Sequence, residues 1–570
     1  MQSITRKQFF KNFTAPKVPV STLVFKQSPT QITNDEKQSN GLGKANTGLA
    51  QYTGTWSNEQ IYHLLRRTLI GVSKEDFDYF KSKSMNQIVD EMIAVSPTSP
   101  EPPVNYYTNE YFDGSVSLGN TWVSAPENAT LSFARRNSFK AWWFNLMINQ
   151  ERNIREKMTL FWHNHFATES NIVLNAKYTY ETNRLFRANC VGNFKQLARL
   201  MATDCGMLVY LNGEKNTNTA PDENFGRELQ ELFTVGKDLK NHYTEDDVKA
   251  AARVMTGWRN NTFTNTNVSY FDPFKHDTND KHLSSFYNNA VIKGKTGAAG
   301  ATELDELIDV IFNQEEVSKF ICRKIYRYFV YYQIDENVEN NVIIPLASIF
   351  RSNNYDIKIV LQTLFKSEHF YDTLNVGCNI KPPIDYLVGI IKCFSPMPPT
   401  SNVVQSYYHA LFLQQSCILL GQNIGDPPNV AGWPAYWQSP QYHELWINSD
   451  LYTYRNQISD GLIYSGYDKE NFKLILDLPL FIGKLNKPED PNEVINQICA
   501  LFFANNISVK VKSNLKESFL LAGQSNDSYW TSAWNDYKAN PSDTNKKQTV
   551  IYKLQALFKH LFGLEEYQLY

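Results

Sequence analysis

The sequence predicts a mainly α-helical protein, a large multi-helix fold carrying two long irregular loops and at most one small β-hairpin. Three observations point there. Apolar residues recur at spacings of three and four through most of residues 56–570, the period that lines side chains up on one face of a helix. The strict alternation that marks strands does not recur along the chain. Capping residues and glycines bracket the periodic stretches, where helices should start and stop.

The first 55 residues stand apart. Residues 30–55 are polar and Gly-rich, which predicts an extended or disordered arm. Thr5-Arg6-Lys7-Gln8-Phe9-Phe10-Lys11 resembles a twin-arginine export signal with one arginine replaced by lysine. No clean apolar region follows it between Asn12 and Pro29. Two readings stand: a degenerate export signal on a periplasmic protein, or a cytoplasmic tail, which the missing apolar region favours.

From residue 56 to residue 570 the chain reads as one helical domain. Ser57 and Gln60 form a capping box that opens a helix with Ile61, Leu64, Leu65 and Leu69 on one face, closed by Gly71; Ser73 and Asp76 open another. Val95 to Asn128 lacks a period and reads as loop. Phe133 to Phe166 reads as two aromatic-rich helices and Tyr178 to Thr203 as further helix. Residues 259–301 form the longest irregular stretch, with a β-like run from Val268 to Phe271. Helical periodicity returns at Leu304, Leu307, Ile308 and Ile311, then Val317 to Ile325, Ile357 to Phe365, and Ile384 to Cys393. Gln422 to Gln441 is a Pro, Gly and Trp loop, and Val494 to Tyr570 is helical again.

The densest helix signals lie between Asp222 and Trp258. Phe225, Leu229, Leu232 and Phe233 share one stripe, and Gly236 stands where a left-handed cap would end the helix. Thr244 and Asp247 make a capping box for the next helix, whose buried stripe is Val248, Ala251, Ala252 and Met255. The result is a helical hairpin. Glu228 and Glu231 project side by side from it, and Arg227 and Arg253 are the cations expected to face them, because buried charges need partners.

Composition removes some function classes. A formal charge of −2 argues against a nucleic-acid partner held by bulk electrostatics. The seven cysteines are far apart and none has the spacing of a zinc or redox motif. No stretch reaches the roughly 18 apolar residues of a membrane helix. Aromatic residues are abundant at 14%, enough to fill a core and also to line a groove for sugars. Walker, nucleophile-elbow and His-Glu-x-x-His patterns are absent.

Four groups of residues could carry chemistry. Glu228 and Glu231 could ligate a hard cation or work as acid and base; an ion-pair network with arginines explains them equally well. His163 and His165 are two apart on a helix and cannot both reach one metal. His165 shares a stripe with Met158, Trp162 and Phe166, which leaves His163 the freer. Asp272, His276, Asp277 and Lys281 gather within ten residues of loop, as a site would or as turn formers would. Trp433, Tyr436 and Trp437 form either an aromatic wall for a ligand or a rigid cap on the helices.

Several motifs together carry a resemblance. Asp204-Cys-Gly-Met-Leu-Val-Tyr-Leu-Asn212 running into Asp222–Gly236, His63-Leu-Leu-Arg-Arg67, Phe161-Trp-His-Asn-His-Phe166, His276-Asp277 with Lys281, and Pro427-Pro-Asn-Val-Ala-Gly-Trp-Pro434 are similar to the uncharacterised bacterial family catalogued as domain of unknown function 1800. The match spans most of residues 56–570. Asp222 stands where members usually have Asn, and Ser284-Ser285-Phe286 where a Leu-Gly or similar is common. The resemblance suggests that three segments converge on one polar cavity. The leading reading is then a metal-assisted or acid/base hydrolase acting on a polar, glycan-type substrate. Glu228, Glu231, His276, Asp277 and Lys281 would be catalytic, and Arg227, Asn224, Trp433 and Trp437 would bind substrate. His163, Glu228, Glu231, Asp272 and His276 would hold a divalent metal ion. The alternative is a non-catalytic binding or scaffold protein whose charges form a buried network and whose aromatic loop docks a protein partner.

Overall fold

A computed structural model describes residues 47–96, 98–107, 113–237, 242–261 and 268–570. The twin-arginine-like segment and most of the N-terminal arm lie outside the described residues. The described end of the arm pairs with the chain near His369: Tyr52 N–H donates to Lys366 O (2.8 Å) and Glu368 N–H to Ala50 O (2.8 Å).

Helices dominate, as the periodicity predicts. Among the described residues the strands form three two-stranded antiparallel hairpins, Trp258–Asn260 with Ser269–Phe271, Lys281–His282 with Val291–Ile292, and Tyr467–Lys469 with Phe472–Leu474. That is two more than expected. One apolar cluster runs from Ile61 to Tyr567 and takes in side chains from most of the helices. No helix among the described residues is long and apolar enough to cross a membrane.

Local sequence explains most helix starts. Ser57, Ser73, Ser84 and Thr244 each close a full capping box, which satisfies N–H groups that the first helical turn leaves open. Two long helices have no apolar stripe to announce them. Val403–Leu419 buries Tyr407, Ala410, Leu411, Phe412, Leu413 and Cys417 on several sides because it packs along Ser132–Ile148. Ser449–Tyr464 packs along Thr544–Phe562 and starts at Asn448, whose side chain accepts Leu451 N–H.

The central hairpin forms with one change of geometry. Its first helix, Glu223–Glu228, continues into a π turn at Leu229–Thr234, in which Val235 N–H reaches back five residues to Gln230 O (2.9 Å). The extra residue in the turn rotates the later side chains by roughly 100°. Phe225, Leu229 and Phe233 are buried, but Leu232 is only half-buried, a correction to the expected stripe. Gly236 takes the left-handed conformation expected of the cap, with φ 90°. Glu245–Val254 lies against Glu223–Glu228 at close range: a Cβ on Gly226 would sit 2.9 Å from Ala252 N and 3.1 Å from Val248 O.

That contact is backbone on backbone, so it has little room to give. Gly226→Ala should therefore lower stability by about 1–3 kcal/mol, as overpacking does. Asn224→Ala on the exposed side should change it by less than about 0.5 kcal/mol. Chemical denaturation of both variants checks this, and a neutral Gly226→Ala would show that the two helices are not held at that distance.

Candidate functional site

The loop after the hairpin is where the sequence concentrates imidazole, carboxylate and ammonium groups, and its local structure fixes each of them. Trp258–Asn260 pairs with Ser269–Phe271, Trp258 opposite Phe271. Asp272 then caps a short turn by accepting Phe274 N–H at 3.0 Å, which uses Asp272 as a turn former. The chain next places His276 under Thr256: Nδ1 lies 3.0 Å from Thr256 O and 3.1 Å from Thr256 Oγ1, while Asp277 N–H donates to Thr256 Oγ1 at 2.8 Å. Lys281 opens the second hairpin opposite Ile292. A 3₁₀ segment, Gly297–Thr302, passes over the imidazole and delivers Glu303 at the start of the helix Glu303–Phe312. Only a glycine fits at 300, where a Cβ would meet His276 Cδ2 at 2.6 Å.

These groups form a network. His276 Nε2 is 3.1 Å from Glu303 Oε1. Glu303 Oε2 pairs with the Lys281 ammonium, which also donates to Asp277 O. Glu303 Oε1 accepts Lys295 N–H at 2.6 Å. Arg253 grips Asp277 with two bonds, 2.9 and 3.0 Å. The Lys281 and Glu303 side chains are both 0% exposed. Burial alone would raise the Glu303 carboxyl, but its contacts with His276, the Lys281 ammonium and Lys295 N–H outweigh it and hold the group below its ordinary value. Asp277 is also held low: Arg253 and Asn279 N–H overcome its partial burial.

Glu303 is absent from the sequence-based candidates. Its signal was a carboxylate four residues before Leu307, on the face that Leu304, Leu307, Ile308 and Ile311 bury. An acid on such a stripe needs a buried cation.

The hairpin glutamates are placed differently from expectation. Arg227 turns away from them and pairs bidentately with Glu245 (2.8 and 2.7 Å) and with Glu223 (3.2 Å); Arg253 serves Asp277. Glu231 is 3.2 Å from Lys237. Glu228 and Glu231 are half-buried, and the Glu228 carboxyl is pushed up by burial and by the charge on Glu231. Asn224 is exposed. Among the described residues no three His, Cys, Asp or Glu side chains come together as a metal-binding group. The set His163, Glu228, Glu231, Asp272 and His276 therefore does not assemble into one centre. Its members are spent locally, Asp272 on a turn, His276 on Thr256 and Glu303.

His163 is also spent. It accepts Gly425 N–H at Nε2 (3.1 Å) and lies between Trp143 and Trp433, ring centroids 5.2 and 5.6 Å away. Next to it, Asn164 Oδ1 accepts Trp433 N–H at 2.8 Å. His165 is buried and sits 3.0 Å from Phe233 O. So the Pro-Gly-Trp loop caps the helix Arg155–His165. Trp433 is 1% exposed, whereas Trp437 is 40% exposed.

Burial, opposed by Asp426 and assisted by Lys140, lowers the His163 imidazole from 6.5 to about 4. Between those values the unfolded chain takes up a proton that the folded ring refuses, so stability falls as pH drops from 6.5 towards 4. His163→Gln keeps an acceptor for Gly425 without the titration. Melting temperatures across that range should drop less steeply in the variant than in the wild type, and equal slopes would contradict a neutral, buried His163.

Two comparisons return nothing: no curated protein and no solved structure matches the chain. The third matches residues 63–569, almost the whole described chain and all the motifs placed above, to the family described as Protein of unknown function (DUF1800). The chain belongs to that family.

Proposed function

We propose that the chain is a non-catalytic binding or scaffold protein, in which Arg253, His276, Asp277, Lys281 and Glu303 brace the long loop and Trp437 is offered to a protein partner. The observation that supports this is the zero exposure of both Lys281 and Glu303. A general acid or base has to come within hydrogen-bond reach of a substrate proton. A side chain sealed from solvent, with its charge already paired, is built to hold structure. Trp437, at 40% exposure, supports the docking part of the reading.

A second reading rests on a separate observation. Glu228 and Glu231 are partly exposed, and the raised carboxyl of Glu228 beside Glu231 is the kind of asymmetry that divides acid from base in hydrolases of polar, glycan-type substrates.

One pair of variants separates the two. Glu303→Gln leaves the Lys281 ammonium buried without its counter-charge and should cost about 3–5 kcal/mol. Glu228→Gln removes a charge that its surroundings disfavour and should cost less than about 0.5 kcal/mol. Under the scaffold reading the wild type releases no reducing sugar from a panel of oligosaccharides. Turnover that disappears in Glu228→Gln, with the fold intact, would overturn it.

A further inference from the structure

Away from the loop network, a cavity of about 40 Å³ opens between residues 66–72, 381–393, 501–502 and 567–570. Its charged lining is Arg66, Lys381 and Asp385, Cys393, Tyr567 and Tyr570 also border it, and its apolar wall includes Val72, Leu501 and Phe502. The charges around it do not balance. Arg66 gives its hydrogen bonds to the backbone oxygens of Ala500 (2.6 Å) and Leu501 (3.1 Å), and Lys381 gives its bond to Tyr567 O (2.6 Å). Arg455, fully buried behind them, bonds Lys381 O, Trp446 O and Gln568 Oε1. Arg67 bonds Asn375 O and Cys378 Sγ. Of these cations and Lys157, Lys157 alone has a carboxylate within ion-pair distance among the described residues, and that carboxylate is Asp385.

Cations buried against neutral acceptors pay a desolvation penalty that an anion would relieve. The guanidinium groups of Arg66 and Arg455 are both lowered to about 10 by burial. A second, independent feature also points to a ligand. Asp385 is 6% exposed and lines the cavity; its Oδ1 is taken by Lys157, yet its Oδ2 has no hydrogen-bond partner. A buried acceptor without a donor is rare enough to need an explanation.

We propose that this cavity binds a small oxyanion that carries a hydroxyl group, its charged oxygens on Arg66 and Lys381 and its O–H donated to Asp385 Oδ2. A cavity of this size holds about three waters, which limits the ligand to a hydrogenphosphate group or a two-carbon hydroxy acid. The inference does not rest on either reading of the 253–303 network, because none of those residues lines the cavity.

Titration calorimetry and thermal melts of the full chain in phosphate-free buffer test it with three probes: inorganic phosphate, glycolate and sulfate. Phosphate or glycolate should raise the melting temperature progressively with concentration, and whichever binds better identifies the source of the anion. Sulfate has no proton to give Asp385 at neutral pH and should bind at least about tenfold more weakly, the worth of one charged hydrogen bond. Lys381→Gln, whose unliganded melt reports its own folding, should lose affinity by a similar factor. Three results would overturn the proposal: no response to phosphate or glycolate at millimolar concentration, sulfate binding as tightly as either, or unchanged affinity in Lys381→Gln.

Discussion

A lysine and a glutamate with no exposed surface constrain this part of the molecule more than any other contact. Taking two such charges out of water costs several kcal/mol each unless every polar atom finds a partner. Lys281 and Glu303 meet that condition only if several separate pieces of chain arrive together: His276 from under Thr256, Lys295 N–H from the strand exit, and Asp277 O from the turn between them. The irregular stretch from His276 to Glu303, which would otherwise be entropically expensive to order, is thereby held to one path. The two short hairpins and the close passage of Gly300 over the imidazole are consequences of that path.

The same device recurs elsewhere in the fold. Arg187 with Glu156, Lys157 with Asp385, Lys140 with Asp426, and Arg135 with Asp113 are all buried ion pairs joining segments distant in sequence. Asp426 shows how such a pair organises a loop. It binds Lys140 on one oxygen and takes Ser170 Oγ and Asn171 N–H on the other. That sets Gly425 over His163 and Trp433 over Asn164. Two family motifs, Phe161–Phe166 and Pro427–Pro434, are therefore a single packing unit, and their histidine and tryptophan serve it.

The sequence was most informative where a local rule decides the outcome. Ser57 with Gln60 and Thr244 with Asp247 are complete within four residues, and both capping boxes form as read. It was less informative where the outcome depends on distant chain. The stripe through Leu232 assumed a regular helix, and the π turn at Leu229–Thr234 shifts it. Val403–Leu419 is buried on several sides and so carries no one-sided period. Charge partners were the least legible. Helical-hairpin geometry puts Arg227 and Arg253 opposite Glu228 and Glu231, yet they bind Glu245 and Asp277, because pairing follows the hairpin's rotation and the route of the later loop. Of Asp272, His276, Asp277 and Lys281, the last three lie in the charge network and Asp272 caps a turn beside it. They could not reveal Glu303, which arrives from 22 residues beyond Lys281, nor that Lys281 and Glu303 are closed to solvent.

The central claim is that Lys281 and Glu303 act on each other as a structural pair, and a double-mutant cycle on their folding free energy measures that directly. Lys281→Met and Glu303→Leu should each be strongly destabilising, because each strands a buried charge. The double variant should recover most of the loss, with a coupling of about 2–3 kcal/mol or more. Additive losses, with no recovery in the double variant, would mean that the two side chains do not depend on each other and would contradict the account.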